Sequence, residues 1–322
     1  MDLLQELLQI EGEARLLCYL QHVQDHAAAT VRRLLDGIQD RAFQVELDNG
    51  ACLTLAVRMD REQRSATLDF SGTSAQGYHN FHAPLAVTKA AVLYVLRCLV
   101  DEPIPLNAGC FLPLTLLVPE GSLLNPRPPA AVVAGNVETS QAVCNLLFAC
   151  FGVMAAAQGT MNNLTFGDGR RQYYETIAGG GGAGEGFSGS SGVQTHMTNS
   201  RLTDPEILEQ RFPVQLEQFG FRRGSGGAGR WRGGDGLLRE IRFLQPMTAA
   251  LLSGSRTVAP FGLAGGDPGA PGSAQLTRAD GTVESLAGCV QLAVSPGDRL
   301  LIATPGGGGW GSPSSVVERR DA

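Results

Sequence analysis

Ala134-Gly135-Asn136-Val137-Glu138-Thr139-Ser140-Gln141 is the stretch around which the rest of this chain arranges itself. Upstream, Ala131 to Ala134 reads as a short strand. Downstream, Thr139 to Ala157 is apolar at helical spacing and is closed by Gly159. A strand therefore meets a helix through a glycine. That junction exposes the free N–H groups and positive dipole end of a helix N-terminus, and a glycine there lets backbone approach a ligand. Thr139 or Ser140 can cap the helix without any further role. Asn136 and Glu138 are not needed for capping, which makes them candidate functional residues.

Outward from this junction the chain alternates between helical and strand periods. Asp2 to Ile10 and Glu13 to Leu35 carry leucines at helical spacing, and Gly37 provides a stop. Phe43 to Leu47 and Cys52 to Val57 alternate around Asp48-Asn49-Gly50, a hairpin signal, and Ala66 to Phe70 adds a strand. Ala86 to Val100 reads as a buried helix. Leu114 to Val118 reads as a strand, followed by the Pro-rich loop Asn125 to Pro129. Thr203-Asp204-Pro205-Glu206 is a capping box with an early proline. From Val214 onward strands alternate with turns: Gln215 to Arg222, Leu237 to Leu244, Thr248 to Leu252, Gln275 to Thr277, Val290 to Val294 and Leu300 to Ala303. The expected fold class is α+β, with a mixed α/β part over residues 1–213 and a mostly β, glycine-rich part over 214–322.

Composition narrows the function. Of 322 residues, 43% are hydrophobic, enough for a sizeable core, while only 17% are charged and 42 are glycine. The formal charge of −6 leaves no electrostatic footprint for nucleic acid. No apolar run is long enough to span a bilayer, and the N-terminus lacks the pattern of a signal peptide. Lys89 is the single lysine, in Val87-Thr88-Lys89-Ala90, with no glycine before it. A P-loop needs Gly-rich turn, Lys and Ser/Thr in direct succession, so this chain does not contain one. The seven cysteines form no CxxC pair; Cys98 and Cys144, inside apolar runs, are expected as reduced core residues of a cytoplasmic protein. The two opening helices offer an apolar side with nothing upstream to cover it. That predicts a fragment, or a chain that leans on a partner and oligomerises.

Four further clusters carry polar chemistry. His79 and His82 lie in Gly77-Tyr78-His79-Asn80-Phe81-His82-Ala83-Pro84. Their spacing can hold a metal, but a loop with two histidines and no third ligand is the plainer reading. Asn162 and Asn163 in Gly159-Thr160-Met161-Asn162-Asn163 supply either turn geometry or amide donors to a carbonyl or oxyanion. Tyr173-Tyr174-Glu175-Thr176 precedes Gly179-Gly180-Gly181-Gly182-Ala183-Gly184, which is either an anion-binding nest of N–H groups or a flexible loop. His196, Asn199 and Arg201 stand within six residues ahead of the Thr203 box. His suits proton transfer near neutral pH and Arg suits a carboxylate, against a polar loop ordered by local bonds.

These strings, in this order, resemble the hydantoinase B/5-oxoprolinase family. The likeness runs from about Asp69 to Gly311. It is densest at Asp69 to Thr73, Ile104 to Gly109, Gly135 to Gln141, Met161 to Asn163, Tyr174 to Thr176 and His196 to Glu206. It continues through Arg222 to Gly236, Pro260 to Gly266 and Thr304 to Gly311. Gly159 to Asn163 with Tyr173 to Glu175 is closer to 5-oxoprolinases than to N-methylhydantoinases. The resemblance implies a subunit or fragment of an ATP-dependent cyclic-amide hydrolase, opening 5-oxo-L-proline to L-glutamate and expected to be inactive alone. ATP and Mg would be bound by a partner hydantoinase A-type domain or subunit. An N-terminal region holding His/Asp motifs suited to a divalent metal is absent here, so the chain is expected to be N-terminally truncated relative to the family. It departs from the family at His79 to Pro84, where Asn-x-Asn-Ala-Pro is common, and at Cys144-Asn145, where an acidic residue is common. The expected roles are Glu138 and His196 in proton transfer, Asn136, Asn162, Asn163 and Asn199 in orienting substrate, and Arg201 on its carboxylate; the metal is left unassigned. The alternatives are an N-methylhydantoinase or acetone-carboxylase-like subunit, and a scaffold subunit without catalysis.

Overall fold

A computed structural model describes residues 2–313; residues 314–322, the end of the glycine-rich part, lie outside it. The elements run in the order α1 (Asp2–Glu11), α2 (Glu13–Leu35), β1 (Arg41–Glu46), β2 (Cys52–Asp60), β3 (Ser65–Asp69), α3 (Leu85–Leu99), β4 (Leu114–Leu117), α4 (Ser140–Cys150), β5 (Asn163–Gly167), β6 (Gln172–Thr176) and α5 (Pro205–Arg211). They continue as β7 (Val214–Arg222), β8 (Gly236–Phe243), β9 (Met247–Leu252), β10 (Ser273–Thr277), β11 (Val283–Leu286), β12 (Cys289–Val294) and β13 (Arg299–Ala303). The fold is α+β, as its alternating periodicities predict.

Two cores organise it. In the first, the sheet β1-β2-β3-β4 turns one face toward the helices. The alternation of β2 and β3 puts Leu53, Leu55, Val57, Ala66 and Leu68 inside, against Val31 and Leu35 of α2, Val92 and Val95 of α3, and Val143 and Leu147 of α4. The β1–β2 hairpin closes at Asp48-Asn49-Gly50, where Gly50 has φ +78. The second core lies between the sheets β11-β10-β13-β8-β7 and β12-β9-β5-β6. It is filled by Leu164, Phe166, Ile241, Phe243, Leu251, Leu276, Leu300 and Ile302, and so draws on residues from both sides of Val214. Within it the guanidinium of Arg239 pairs bidentately with Glu175 at 2.6 and 2.9 Å, each side chain 1% exposed. Tyr173 donates to the same carboxylate.

Several local expectations change. Ala131 to Ala134 forms no strand. The chain loops into a π-helical turn over Gly135–Thr139, where Glu138 and Thr139 both donate to the carbonyl of Ala134. Gly135 is required there because a Cβ would fall 2.0 Å from the carbonyl oxygen of His82. It admits neighbouring backbone, not a ligand. Helix α4 ends at Cys150 instead of running to Ala157, because Ala155, Ala156 and Gln158 donate sideways to Ala183, Phe261 and Gly180. Helix α5 begins at Pro205 with Asp204 in the capping position, but no side chain caps it, so the expected box is not formed. Strands β5, β6 and β11 are additional. Cys144 is buried, whereas Cys98 is exposed.

The glycine runs are neither a nest nor a flexible loop. Segment 179–184 is packed against 226–236 and 304–311. Gly180 donates to Pro305, Gly234 to Gly181, Gly307 to Gly234 and Ala183 to Gly308, so these N–H groups are already used. A Cβ on Gly307 would sit 1.9 Å from the oxygen of Gly181, backbone against backbone. Low side-chain volume here lets these three chain segments stack at main-chain distance. At the other end, α1 and the first half of α2 leave Leu3, Leu4, Leu7, Leu8, Leu17 and Leu20 exposed.

Candidate active site

The carboxyl of Glu138 is the centre of a buried polar network at the seam of the two cores. The π-helical turn aims it away from α4, toward the start of β5. Its Oε1 accepts from Thr160 Oγ1 at 2.9 Å, Asn163 Nδ2 at 2.8 Å and the Met161 amide at 3.3 Å. Its Oε2 is buried and has no partner. That atom lies beside Gly254, where a Cβ would come within 3.1 Å of it. Burial pushes the acid up to about 8, against the pull of its hydrogen bonds and of the Arg256 charge. At neutral pH the group is therefore protonated. With three donors converging on Oε1, the proton sits on Oε2.

Each donor is itself held. Asn163 also gives a proton to the Leu252 carbonyl at 2.7 Å and accepts one from Tyr174 at 2.7 Å. Thr160 Oγ1 accepts from the amides of Asn162 and Gly254. Asn162, at φ +46, donates to Gln158 and Ile177 and accepts from Arg256 Nη2 at 3.0 Å. Asn tolerates this left-handed backbone better than most residues. The Arg256 loop is fixed from the first core: Asp48, in the hairpin turn, accepts from the amides of Arg256, Thr257 and Val258. Desolvation lowers the Arg256 guanidinium to about 10, so it stays charged at neutral pH.

Beside this network lies a cavity of about 760 Å³, whose wall includes Glu138, Asn145, Asp48, Ser253, Arg256 and Phe261. That volume is ordinary for a small-molecule site.

Of the residues expected from sequence, Glu138, Asn162 and Asn163 are brought together here. His196 is not on the cavity wall. Its ring packs against Phe148 and Tyr94, and its Nε2 lies 2.8 Å from Asn145 Oδ1. That oxygen also accepts from the Ala157 amide, so it is an acceptor and His196 Nε2 carries the proton. Burial lowers this imidazole to about 4, leaving it neutral. His196 thus braces Asn145 from behind. Asn136, Asn199 and Arg201 are exposed, outside the cavity. His82 is buried and satisfied: Nδ1 donates to Ala131 and Nε2 accepts from Gly77, with His79 stacked 4.3 Å away. Among the described residues, no three His, Cys, Asp or Glu side chains converge to hold a metal ion. The N–H groups of the glycine runs, spent on each other, do not fit a nucleotide phosphate either.

Sequence reasoning missed Asp48, Asn145, Thr160 and Arg256. Asp48 looked like a turn residue, and Asn145 entered only as part of Cys144-Asn145, a departure from the family's acidic position. The signal for Arg256 was present in Ser253-Gly254-Ser255-Arg256-Thr257, small and polar residues directly after an apolar strand.

Glu138, its carboxyl pushed up by burial, and the desolvated cation Arg256 thus share the wall of one ligand-sized cavity. The chain belongs to the hydantoinase B/oxoprolinase family, whose model matches residues 1–313. It is 45% identical to 5-oxoprolinase 1 of Arabidopsis thaliana over 97% of this chain, and 41% identical to 5-oxoprolinase of Dictyostelium discoideum over 98%. It spans 26% of the length of each of these relatives. Its fold is similar to that of the ATP-dependent caprolactamase from Pseudomonas jessenii, with a TM-score of 0.78 at 23% identity, covering 96% of this chain and 58% of that one. It is likewise similar to acetone carboxylase, with a TM-score of 0.81 at 17% identity, covering 97% and 51%.

Proposed function

We propose that this chain forms the proton-transfer wall of an ATP-dependent cyclic-amide hydrolase that opens 5-oxo-L-proline to L-glutamate. The observation that carries the reading is the Glu138 side chain on the cavity wall: one carboxyl oxygen accepts from three donors and the other is buried without a partner. The identity to the two 5-oxoprolinases supports the choice of substrate.

A lactam resists hydrolysis because its nitrogen lone pair is delocalised into the carbonyl. Ring opening needs a proton at that nitrogen as the C–N bond breaks. Glu138 Oε2–H is suited to donate it, with a pKa near the working pH. Thr160 and Asn163 hold Oε1, so the carboxyl cannot rotate away from the ring. Asn145, braced by His196, supplies a further polar contact on the same wall. ATP and Mg, which activate the amide, are assigned to a partner A-type domain or subunit, because the sequence holds no P-loop and, among the described residues, the amides of Gly180, Ala183, Gly234 and Gly307 are already bonded to main-chain carbonyls.

The test is the assembly reconstituted from this chain and its ATP-binding partner, assayed for ATP-dependent glutamate release. Glu138→Gln should lower turnover on the order of a hundred- to ten-thousand-fold, the range for a general acid, with assembly intact. Turnover of hydantoin but not of 5-oxoproline would overturn the substrate. Unchanged turnover in Glu138→Gln would overturn the role of the carboxyl.

A further inference from the structure

We propose that Arg256 takes the carboxylate of an anionic lactam, so that the cavity selects a ring bearing a carboxylate over the same ring without one. This rests on the ring-opening reading above for the nature of the ligand, and it names the subsite that confers specificity.

Two guanidinium groups of the second half of the chain, the buried Arg239 and the half-buried Arg256, are treated differently. Arg239 is neutralised by Glu175. The side chain of Arg256 has no carboxylate partner among the described residues. It donates instead to neutral oxygens: Ser253 Oγ at 3.1 Å, the carbonyls of Ala303 at 3.0 Å and Ser273 at 3.4 Å, and Asn162 Oδ1 at 3.0 Å. The Asp48 carboxylate, bound to the Arg256 main-chain amide, lends negative charge nearby but makes no bond to the guanidinium, which an anion in the cavity would complete. These four bonds fix the fork while leaving one N–H of Nη2 without an acceptor.

The position is also built for this side chain. A Cβ on Gly272 would lie 1.9 Å from Arg256 Nη1, and one on Gly288 would lie 3.0 Å from its Cγ. Both glycines keep the channel open in which the arginine lies. Among the described residues on the cavity wall, Arg256 is the one cation. Arg201, the arginine expected from sequence to hold the carboxylate, is outside it.

Arg256 and Glu138 are joined through Asn162 and Thr160. Nη2 donates to Asn162, the Asn162 amide donates to Thr160, and Thr160 donates to Glu138, so three hydrogen bonds join the two groups. In 5-oxoproline the carboxylate is on the carbon next to the ring nitrogen. Anchoring it at Arg256 brings that nitrogen toward the carboxyl that would protonate it. A charge-assisted bond to carboxylate is among the stronger single contacts available.

The experiment measures binding, not turnover. The chain, with its ATP-binding partner, is titrated calorimetrically with 5-oxo-L-proline and with 2-pyrrolidinone, the same ring without the carboxylate. Wild type should bind the carboxylated ring roughly ten- to hundred-fold more tightly, and Arg256→Met should remove that preference while leaving 2-pyrrolidinone binding as it was. Equal affinities for the two probes in wild type, no binding of either, or a preference that survives in Arg256→Met would each overturn the proposal. The wild-type comparison decides even if Arg256→Met does not fold. Arg256→Lys, which keeps the charge but not the fork, should retain only part of the preference, and a full preference there counts against the fork. Discriminating binding without ATP-dependent ring opening would sink the proposed reaction and leave the carboxylate subsite standing.

Discussion

Replacing Glu138 by Gln should make the protein more stable while removing its proposed chemistry, and the gain should depend on pH in a defined way. An ordinary glutamate titrates at 4.5, whereas burial holds Glu138 up to about 8. The unfolded chain therefore releases this proton near pH 4.5, and the folded chain keeps it until about pH 8. Between those values the native state binds more protons than the unfolded state, so stability falls as pH rises. The slope is about 1.4 kcal/mol per pH unit, giving a cost of about 3 kcal/mol at pH 7 and about 5 kcal/mol above pH 8. Below pH 4.5 both states are protonated and the cost vanishes.

Gln is nearly isosteric. Its Oε1 can keep the three donors from Thr160, Asn163 and Met161, and its amide occupies the place of the unpartnered Oε2. The uncharged side chain has no proton to lose. Urea unfolding of wild type and Glu138→Gln from pH 5 to pH 9 should show curves that nearly coincide at pH 5 and separate steadily to pH 8, Gln the more stable, then run parallel. A difference that does not change with pH would refute the reasoning, as would a variant less stable than wild type at pH 8. Either result would mean that Glu138 is ionised in the fold and that the proton does not sit on Oε2.

Three other outcomes follow from the geometry. Glu175→Gln leaves the guanidinium of Arg239 buried without its counter-charge and should cost about 3–5 kcal/mol in a denaturant titration; a loss under 1 kcal/mol would show that water reaches the pair. Gly307→Ala forces a methyl to 1.9 Å from the Gly181 oxygen, with no side chain to yield, so soluble expression should collapse while Gly169→Ala, which meets nothing within 4 Å, remains soluble. Arg201→Ala, exposed and outside the cavity, should leave the Michaelis constant for 5-oxoproline within about two-fold of wild type.

The elements that follow a single period were legible in the sequence. The leucines of α1 and α2, the alternation of β1 and β2 around Gly50, and the strands after Val214 declare themselves because burial of one face imposes one repeat. What failed to show is where backbone pairing overrides side-chain period. Ala155 to Gln158 are as apolar as the helix before them, yet their amides serve Ala183, Phe261 and Gly180. The glycine runs carry no side-chain pattern at all, and partners such as Gly180 and Pro305 lie far apart in sequence, so local reading leaves only loop or nest. At the site, Glu138 stood out because no cap required it, while Asn162 and Asn163 stood out as paired amides that turn geometry could also explain. Asp48 and Arg256 stayed hidden for the opposite reason. Asp48 satisfies a turn signal completely, and its bonds to residues 256–258 span more than two hundred positions.

That long-range clamp bears on how the site keeps its acid neutral. A raised carboxyl pKa persists only while water is kept from Oε2 and the donors to Oε1 hold still. Glu138 belongs to the turn that opens α4, in the first core, whereas Thr160, Met161 and Asn163 belong to the start of β5, in the second. Any slip of one core on the other would part Oε1 from its donors and admit solvent. Two devices oppose it. Asp48, from the first core, grips the 256–258 loop of the second by three amides. The segment between Cys150 and β5 is locked by main-chain bonds into the glycine stack, which has no side chains to repack. Loosening the clamp, without touching Glu138, should therefore lower its pKa toward the ordinary value. Asp48→Ala is the perturbation, and the readout is the pH dependence of stability already described for Glu138→Gln. With the clamp removed, the gap between the Asp48→Ala protein and Asp48→Ala/Glu138→Gln should open over a narrower pH range than in wild type. A gap as wide as in the intact protein would show that the seam holds without Asp48.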